Sequence, residues 1–326
     1  MIITQTPLRV SFVGGGTDLP DYYRNNGGGA VISTAIDKYI FVIVKERFDD
    51  KIRLGYSRTE MVDSVDELKH ELVREAMRKV GVWKRIEIGT MADIPSTGSG
   101  LGSSSSVTVG ILNALYLYVG EPKEPEVLAE QACEIEIDIL GKPIGKQDQY
   151  AAALGNMNVI RFLPDERVEI ERVELSNYAK RMLNSNLLLF YTGISRESST
   201  ILEEQKAEIP KKEDILSKMK NMVDDVKACF LNEEIDQLGP ILHQGWLYKK
   251  QLAGGISNPT IDLLYEKALS AGATGGKVVG AGGGGFLLVY CPNGKQDDVR
   301  NALSDYRELP FRFEKYGTKS IFNMTR

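Results

Sequence analysis

The segment Asp93–Tyr118 reads DIPSTGSGLGSSSSVTVGILNALYLY and constrains this chain more than any other stretch. Its first half, up to Ser106, is loop chemistry: a proline, spaced glycines and runs of serine and threonine. Its second half places Val107, Ile111, Ala114, Leu115 and Tyr118 at offsets 0, 4, 7, 8 and 11, one apolar face of an α-helix. A Gly/Ser loop that opens directly into a helix aims unpaired backbone N–H groups and the positive end of the helix dipole at one spot. That spot suits a phosphate. The serines add hydroxyls able to reach phosphate oxygens or a magnesium ion. Ordinary N-capping by serine explains the loop taken alone equally well, so the rest of the chain must decide.

A chain of 326 residues allows one large or two ordinary domains. With 42% apolar and 26% charged residues it is globular. The net charge of −5 argues against a general nucleic-acid binder and leaves room for a local basic pocket. No apolar run reaches about 18 residues, so no membrane association through a spanning helix is expected. The opening MIITQTPLRV lacks a basic stretch followed by a long apolar one, so no secretory signal is expected. Cys133, Cys229 and Cys291 are odd in number and far apart, which fits a reducing cytoplasm. His70 and His243 stand alone, which leaves zinc chemistry poorly supported.

Taken in order, Ile2–Thr6 and Leu8–Val13 read as strands split by Pro7, the second running into Gly14–Asp18. Ala30–Ala35, Tyr39–Lys45, Lys51–Tyr56 and Arg85–Met91 carry strand character, and Asp66–Val80 carries helical spacing. Glu126–Leu140 is read as a helix, although Glu134–Ile139 also alternates with period two. On that helix Glu136 shares a face with Ala132 and Leu140. It is either a buried carboxylate that needs a cationic partner or a solvated residue at the edge of the stripe. Strands over 156–162, 167–173 and 186–191 and helices over 209–230, 235–252 and 260–271 complete the pattern. A soft domain boundary is expected near residue 184, giving domains 1–184 and 185–326.

Gly280, Gly282 and Gly285 match the dinucleotide fingerprint GxGxxG, but Phe286–Tyr290 after them is an apolar strand where that motif needs a helix. A hairpin whose glycines admit another element is the better reading. Lys277 also fails as a Walker lysine, because Val278 stands where Ser or Thr is required. Phosphoryl transfer needs a phosphate cradle, a metal ligand, a cation and a carboxylate for the attacking hydroxyl. The Ser/Gly loop, Glu136 with a loop serine, Arg9 or Lys146, and Asp148 are candidates for these roles.

Three segments together resemble the GHMP kinases, the superfamily of galacto-, homoserine, mevalonate and phosphomevalonate kinases: Pro7–Asp18, Pro95–Ser106 and Lys277–Gly285. The resemblance implies a two-domain α+β kinase with ATP and a small hydroxylated substrate in the cleft. It implies that Pro95, Gly98, Gly100, Leu101, Gly102, Ser103, Ser104 and Ser105 form the triphosphate loop, with Ser104 and Glu136 holding magnesium. Asp148 would orient or deprotonate the attacking hydroxyl beside Arg9. Gly15, Gly16, Thr17 and Asp18 would meet the substrate, with Gly283 shaping the site. Galactokinases carry Gly-Glu-His-Thr-Asp where this chain has Gly14-Gly-Gly-Thr-Asp18, so galactose is disfavoured. The Gly-Gly-Gly-Thr-Asp form, with Ser33–Tyr39 after it, is similar to bacterial D-glycero-D-manno-heptose 7-phosphate kinases. Their phosphorylated sugar needs basic partners, for which Arg196 and Lys146 are candidates, although either also reads as a surface charge. A fucose kinase, a non-catalytic sugar sensor on the same scaffold and a nicotinamide-binding oxidoreductase are the alternatives. A cytoplasmic monomer or homodimer is expected.

Overall fold

The structure, a computed structural model, describes residues 1–94, 98–195 and 198–324. Strand β1 (Ile2–Val13) runs through the first glycines to helix α1 (Pro20–Tyr23) and the long strand β2 (Gly29–Glu46). Then come β3 (Ile52–Gly55), β4 (Thr59–Val62), α2 (Glu71–Val80), β5 (Ile86–Ala92), α3 (Ser103–Val119) and α4 (Pro125–Cys133). These are followed by α5 (Gln147–Leu154), β6 (Met157–Phe162), β7 (Val168–Arg172), α6 (Asn177–Asn186) and β8 (Leu187–Tyr191). The last part holds α7 (Ser198–Glu208), α8 (Glu213–Leu231), α9 (Leu238–Lys249), α10 (Pro259–Ser270), β9 (Gly275–Val278), β10 (Phe286–Tyr290), α11 (Gln296–Ala302) and β11 (Lys319–Asn323).

The large sheet is ordered β11-β1-β2-β5-β3-β4, with β6 and β7 attached along the first part of β2. The sequence splits β1 at Pro7 and β2 between Ala35 and Tyr39, yet each is one continuous strand. Pairing jumps from Pro7 opposite Tyr39 to Leu8 opposite Ile36, so Asp37 and Lys38 bulge where Pro7 has no N–H to donate. Helix α3 rides directly on this sheet. A Cβ at Gly110 would stand 2.7 Å from the Thr6 hydroxyl, and the Thr4 hydroxyl donates to Gly110 O at 3.0 Å. The helix starts at Ser103, a turn before its apolar stripe, because Gly102 turns the chain at φ 76°.

Two other boundaries differ from the sequence reading. The helix expected over 66–80 is interrupted at Leu68, whose ψ of 126° is extended, so α2 begins at Glu71. After α4 the chain widens into a π turn at Glu134–Ile139, with Leu140 N donating to Ile135 O at 3.0 Å. The neighbours Ile135 and Glu136 in this turn are both fully buried. Helices α6, α7 and α11 and strand β11 carry weak sequence signals and were not anticipated; β11 is mostly exposed, so it lacks an apolar face to read.

A smaller antiparallel sheet, β8-β10-β9, carries the last glycine loop between β9 and β10, the hairpin anticipated from sequence. One core runs under the large sheet and continues through Met222, Val226 and Phe230 of α8 to Leu288 and Tyr290. A second surrounds Trp246, Phe190 and Leu216 and takes in Leu19 and Tyr22. Both join early and late parts of the chain, which sets the two sheets on either side of one cleft.

Candidate active site

The cleft wall begins where the Ser/Gly loop touches the middle of β1. Arg9 N donates to Leu101 O at 3.0 Å. The Arg9 side chain, only 3% exposed, donates through Nε to Asp148 Oδ1 (2.7 Å) and through Nη2 to Oδ2 (2.8 Å). Its Nη1 donates to Gly100 O at 2.6 Å. Asp148 sits in the first turn of α5 and remains 24% exposed. This bidentate pair fixes the carboxylate while leaving part of it open to the cleft.

Two glycine loops meet beside the pair, main chain against main chain. A Cβ at Gly100 would lie 2.4 Å from Val279 O, and one at Gly280 would lie 2.5 Å from Gly100 Cα. Gly100 and Gly280 also adopt φ values of 74° and 70°, which glycine accepts without strain. The loop therefore holds its shape through backbone contact. Gly98, Gly100, Gly102, Ser103, Ser104 and Ser105 line a cavity of about 570 Å³ together with Arg9, Asp148, Glu136 and Gly282. The first turn of α3, whose N–H groups have no intrahelical acceptor, opens into it. A further cavity of about 610 Å³, walled by Tyr56, Leu72, Met91, Ile94 and Val107, shares Ser103 and Ser104 with the first.

Glu136 is fully buried and accepts hydrogen bonds from Ser105 Oγ (3.0 Å), Thr108 Oγ1 (2.5 Å) and Gln149 Nε2 (3.2 Å). Burial pushes its carboxyl up to about 7, against the pull of the Thr108 hydroxyl. The inward reading of Glu136 is thus the one the fold realises. The serine that touches it is Ser105; Ser104 is exposed to the cavity.

On the other side of Arg9 and Asp148 lies a compact cavity of about 80 Å³, lined also by Gly15, Gly16, Asp18, Lys249 and Lys277. Asp18 accepts from Gly16 N at 2.8 Å and Gln147 N at 3.4 Å, while burial pushes its carboxyl up to about 6. Lys249 Nζ donates to Val278 O (3.1 Å) and to Gly280 O, and Lys277 Nζ donates to Phe12 O (2.8 Å). Burial lowers Lys277 to about 7 and holds Lys249 well below the usual amine range. Neither lysine was singled out for this site from sequence. Lys249 had a signal: it continues the buried face of α9 made by Leu242, Gly245 and Trp246.

Other expected residues lie elsewhere. The Thr17 hydroxyl is buried against Gly14 O and Ala30 N, so it shapes the loop's main chain. Leu101 is buried and offers its carbonyl to Arg9. Lys146 binds Glu166 at 2.6 Å beside Tyr23, in a separate depression that also holds Arg24. Gly283 donates its N–H to Ile256 O at 2.8 Å, while its neighbours Gly282 and Gly284 face the 570 Å³ cavity. Pro95 and Arg196 lie outside the described residues. Among the described residues no helix is long and apolar enough to cross a membrane.

Comparison with known proteins agrees with this arrangement. The family model of the GHMP kinases N terminal domain matches residues 67–156, and that of the GHMP kinases C terminal matches residues 226–308. A D-glycero-alpha-D-manno-heptose 7-phosphate kinase of Campylobacter jejuni is 30% identical over 98% of this chain and 98% of its own length. A galactokinase of Pyrococcus furiosus is 26% identical over 93% of this chain and 92% of its own. The crystal structure of a D-glycero-D-manno-heptose 1-phosphate kinase from Bacteroides thetaiotaomicron superposes with a TM-score of 0.84 at 26% identity, covering 100% of both chains. The α+β fold with paired N- and C-terminal parts, the Ser/Gly loop that opens into α3 and these relatives lead to one assignment: the chain belongs to the GHMP kinases, phosphotransferases with an alcohol group as acceptor.

Proposed function

We propose that this GHMP sugar kinase uses magnesium and ATP to phosphorylate the anomeric hydroxyl of D-glycero-D-manno-heptose 7-phosphate. The product is the 1,7-bisphosphate, an intermediate for nucleotide-activated heptose and surface polysaccharide. The observation that carries the reading is the Arg9–Asp148 pair in the wall shared by the phosphate-loop cavity and the compact basic cavity. A donor on one side and an acceptor on the other would meet at that carboxylate.

In this reading the nucleotide's triphosphate lies on the 98–105 loop and the first turn of α3, and its base enters the 610 Å³ cavity. Asp18 and the amides of Gly15 and Gly16 meet the sugar hydroxyls. Asp148 accepts the hydrogen bond of the attacking hydroxyl and takes its proton as the new O–P bond forms and the bond to the leaving ADP breaks. Arg9 holds that carboxylate in place through its two hydrogen bonds and faces the charge spread over the migrating group. The residues present fit magnesium: Glu136 is a buried carboxylate with hydroxyl and amide donors but no ion pair among the described residues, and Ser104 is exposed on the same cavity. Bound there, the ion would neutralise phosphate charge. The domain division is placed near residue 184, with β11 returning to pair with β1 of the first part.

The test is ADP release against free and phosphorylated hexoses and heptoses. Heptose 7-phosphate should give the highest kcat/KM. Preference for an unphosphorylated fucose or galactose would move the assignment to another sugar of the family, and ADP release with none of them would favour the sensor reading.

A further inference from the structure

We propose that Lys249 and Lys277 form the seat for the phosphate that the acceptor sugar already carries. This assignment rests on the kinase reading above and replaces Lys146 as the expected basic partner, since Lys146 is held by Glu166.

Both lysines are buried to 6% exposure, and both line the compact cavity. Their hydrogen-bond partners are main-chain carbonyls, and among the described residues neither lysine has a carboxylate within ion-pair distance, Asp18 acting on both only across the cavity. An ammonium has three donors. Lys249 directs two of them to Val278 O and Gly280 O, and Lys277 directs one to Phe12 O. Free donors therefore remain on both. Two buried amines without an ion-pair partner among the described residues cost the fold free energy, whether charged or stripped of a proton, that an apolar residue on the Leu242–Trp246 face of α9 would avoid. Fold stability does not explain them, whereas an incoming anion does.

The cavity itself orients that anion. Arg9 is already occupied by Asp148 and Gly100 O. Asp18 and Asp148 present carboxylates, which repel a phosphate and accept from hydroxyls. A phosphate therefore lodges at the wall made by β9 and the end of β1, and the sugar's hydroxyls face Asp18 and Asp148. A phosphate dianion accepts charge-assisted hydrogen bonds from both lysines at once.

Lys249→Met and Lys277→Met test this with D-glycero-D-manno-heptose 7-phosphate and the unphosphorylated heptose as probes. Each substitution should lower the ratio of kcat/KM for the phosphorylated over the free sugar by about 30-fold, the loss of one charge-assisted hydrogen bond at about 2 kcal/mol. The KM for ATP should stay within about twofold. Calorimetry without nucleotide, run in two buffers of different ionisation enthalpy, should show proton uptake on binding the phosphorylated sugar, reduced in Lys277→Met. The groups facing Lys277 in that cavity are Arg9, Asp18, Asp148 and Lys249. An equal loss with both sugars, or a rise in the KM for ATP, would overturn the proposal and place the lysines on the migrating phosphoryl group. If no sugar releases ADP while lysine-dependent binding of the phosphorylated sugar persists, the kinase reading falls and the anion seat stands. Melting curves establish that each variant folds, and either one alone suffices.

Discussion

Lys277→Met should make the substrate-free protein more stable. Burial lowers Lys277 from 10.5 to about 7, with Arg9 adding repulsion and Asp18 opposing it. Taken whole, at 1.36 kcal/mol per pH unit, that difference costs the folded state about 5 kcal/mol at low pH. Relaxation and water access around a cavity-lining group reduce this to roughly 2 kcal/mol. Losing the 2.8 Å hydrogen bond to Phe12 O offsets about 1 kcal/mol of the gain. The net is about 1 kcal/mol in favour of the variant, or roughly 2–3 °C in melting temperature. The pH dependence has a definite sign. The unfolded chain keeps the lysine proton until about pH 10, whereas the folded chain releases it from about pH 7. The cost is therefore full below pH 7 and fades as pH rises, so the variant's advantage shrinks from about pH 7 to about pH 10. Scanning fluorimetry without nucleotide or sugar reads this directly. A variant that melts lower at the acid end, with a gap that does not change with pH, would refute the account of Lys277 as an uncompensated charge.

Two further outcomes follow from the same geometry. Asp148→Asn should leave ATP binding intact and lower kcat by about 10²–10⁴, the range for a lost acid/base group; steady-state ADP release beside nucleotide titration checks it, and near-normal turnover would remove the role. Gly280→Ala should disturb the phosphate loop, because its Cβ would lie 2.5 Å from Gly100 Cα at a φ of 70°; a KM for ATP raised about tenfold or more, with a lower melting temperature, is expected from strain of roughly 1–3 kcal/mol.

Much of the site was legible because its signals are local. The glycine and serine run, and the helix that follows it, can be recognised without knowing the fold. Arg9 and Asp148 are 139 residues apart, and only the family resemblance paired them before the structure did. The pairing of Lys146 was not legible because its partner, Glu166, reaches it from a turn with φ 73° that no short pattern announces. Lys249 and Lys277 were passed over because attention to glycine loops hides charges on a helix face and in a strand. A lysine at the 0, 3, 4, 7 spacing of Leu242, Gly245 and Trp246 is the kind of inconsistency that marks a functional position. The long β2 was read as two strands because a bulge looks like a break when the partner strand is unknown.

The π turn at Glu134–Ile139 makes one part of this site a matter of counting. Successive residues of a regular α-helix point about 100° apart, and the widened turn alters that spacing at the point where Glu136 turns inward. The widened turn behaves as a single inserted residue. Removing Glu134 or Ile135 would turn Glu136 by about 100° around the axis of α4, away from Ser105, Thr108 and Gln149, even with every one of those side chains unchanged. The placement of Glu136 therefore depends on the length of the chain at this point as much as on its composition.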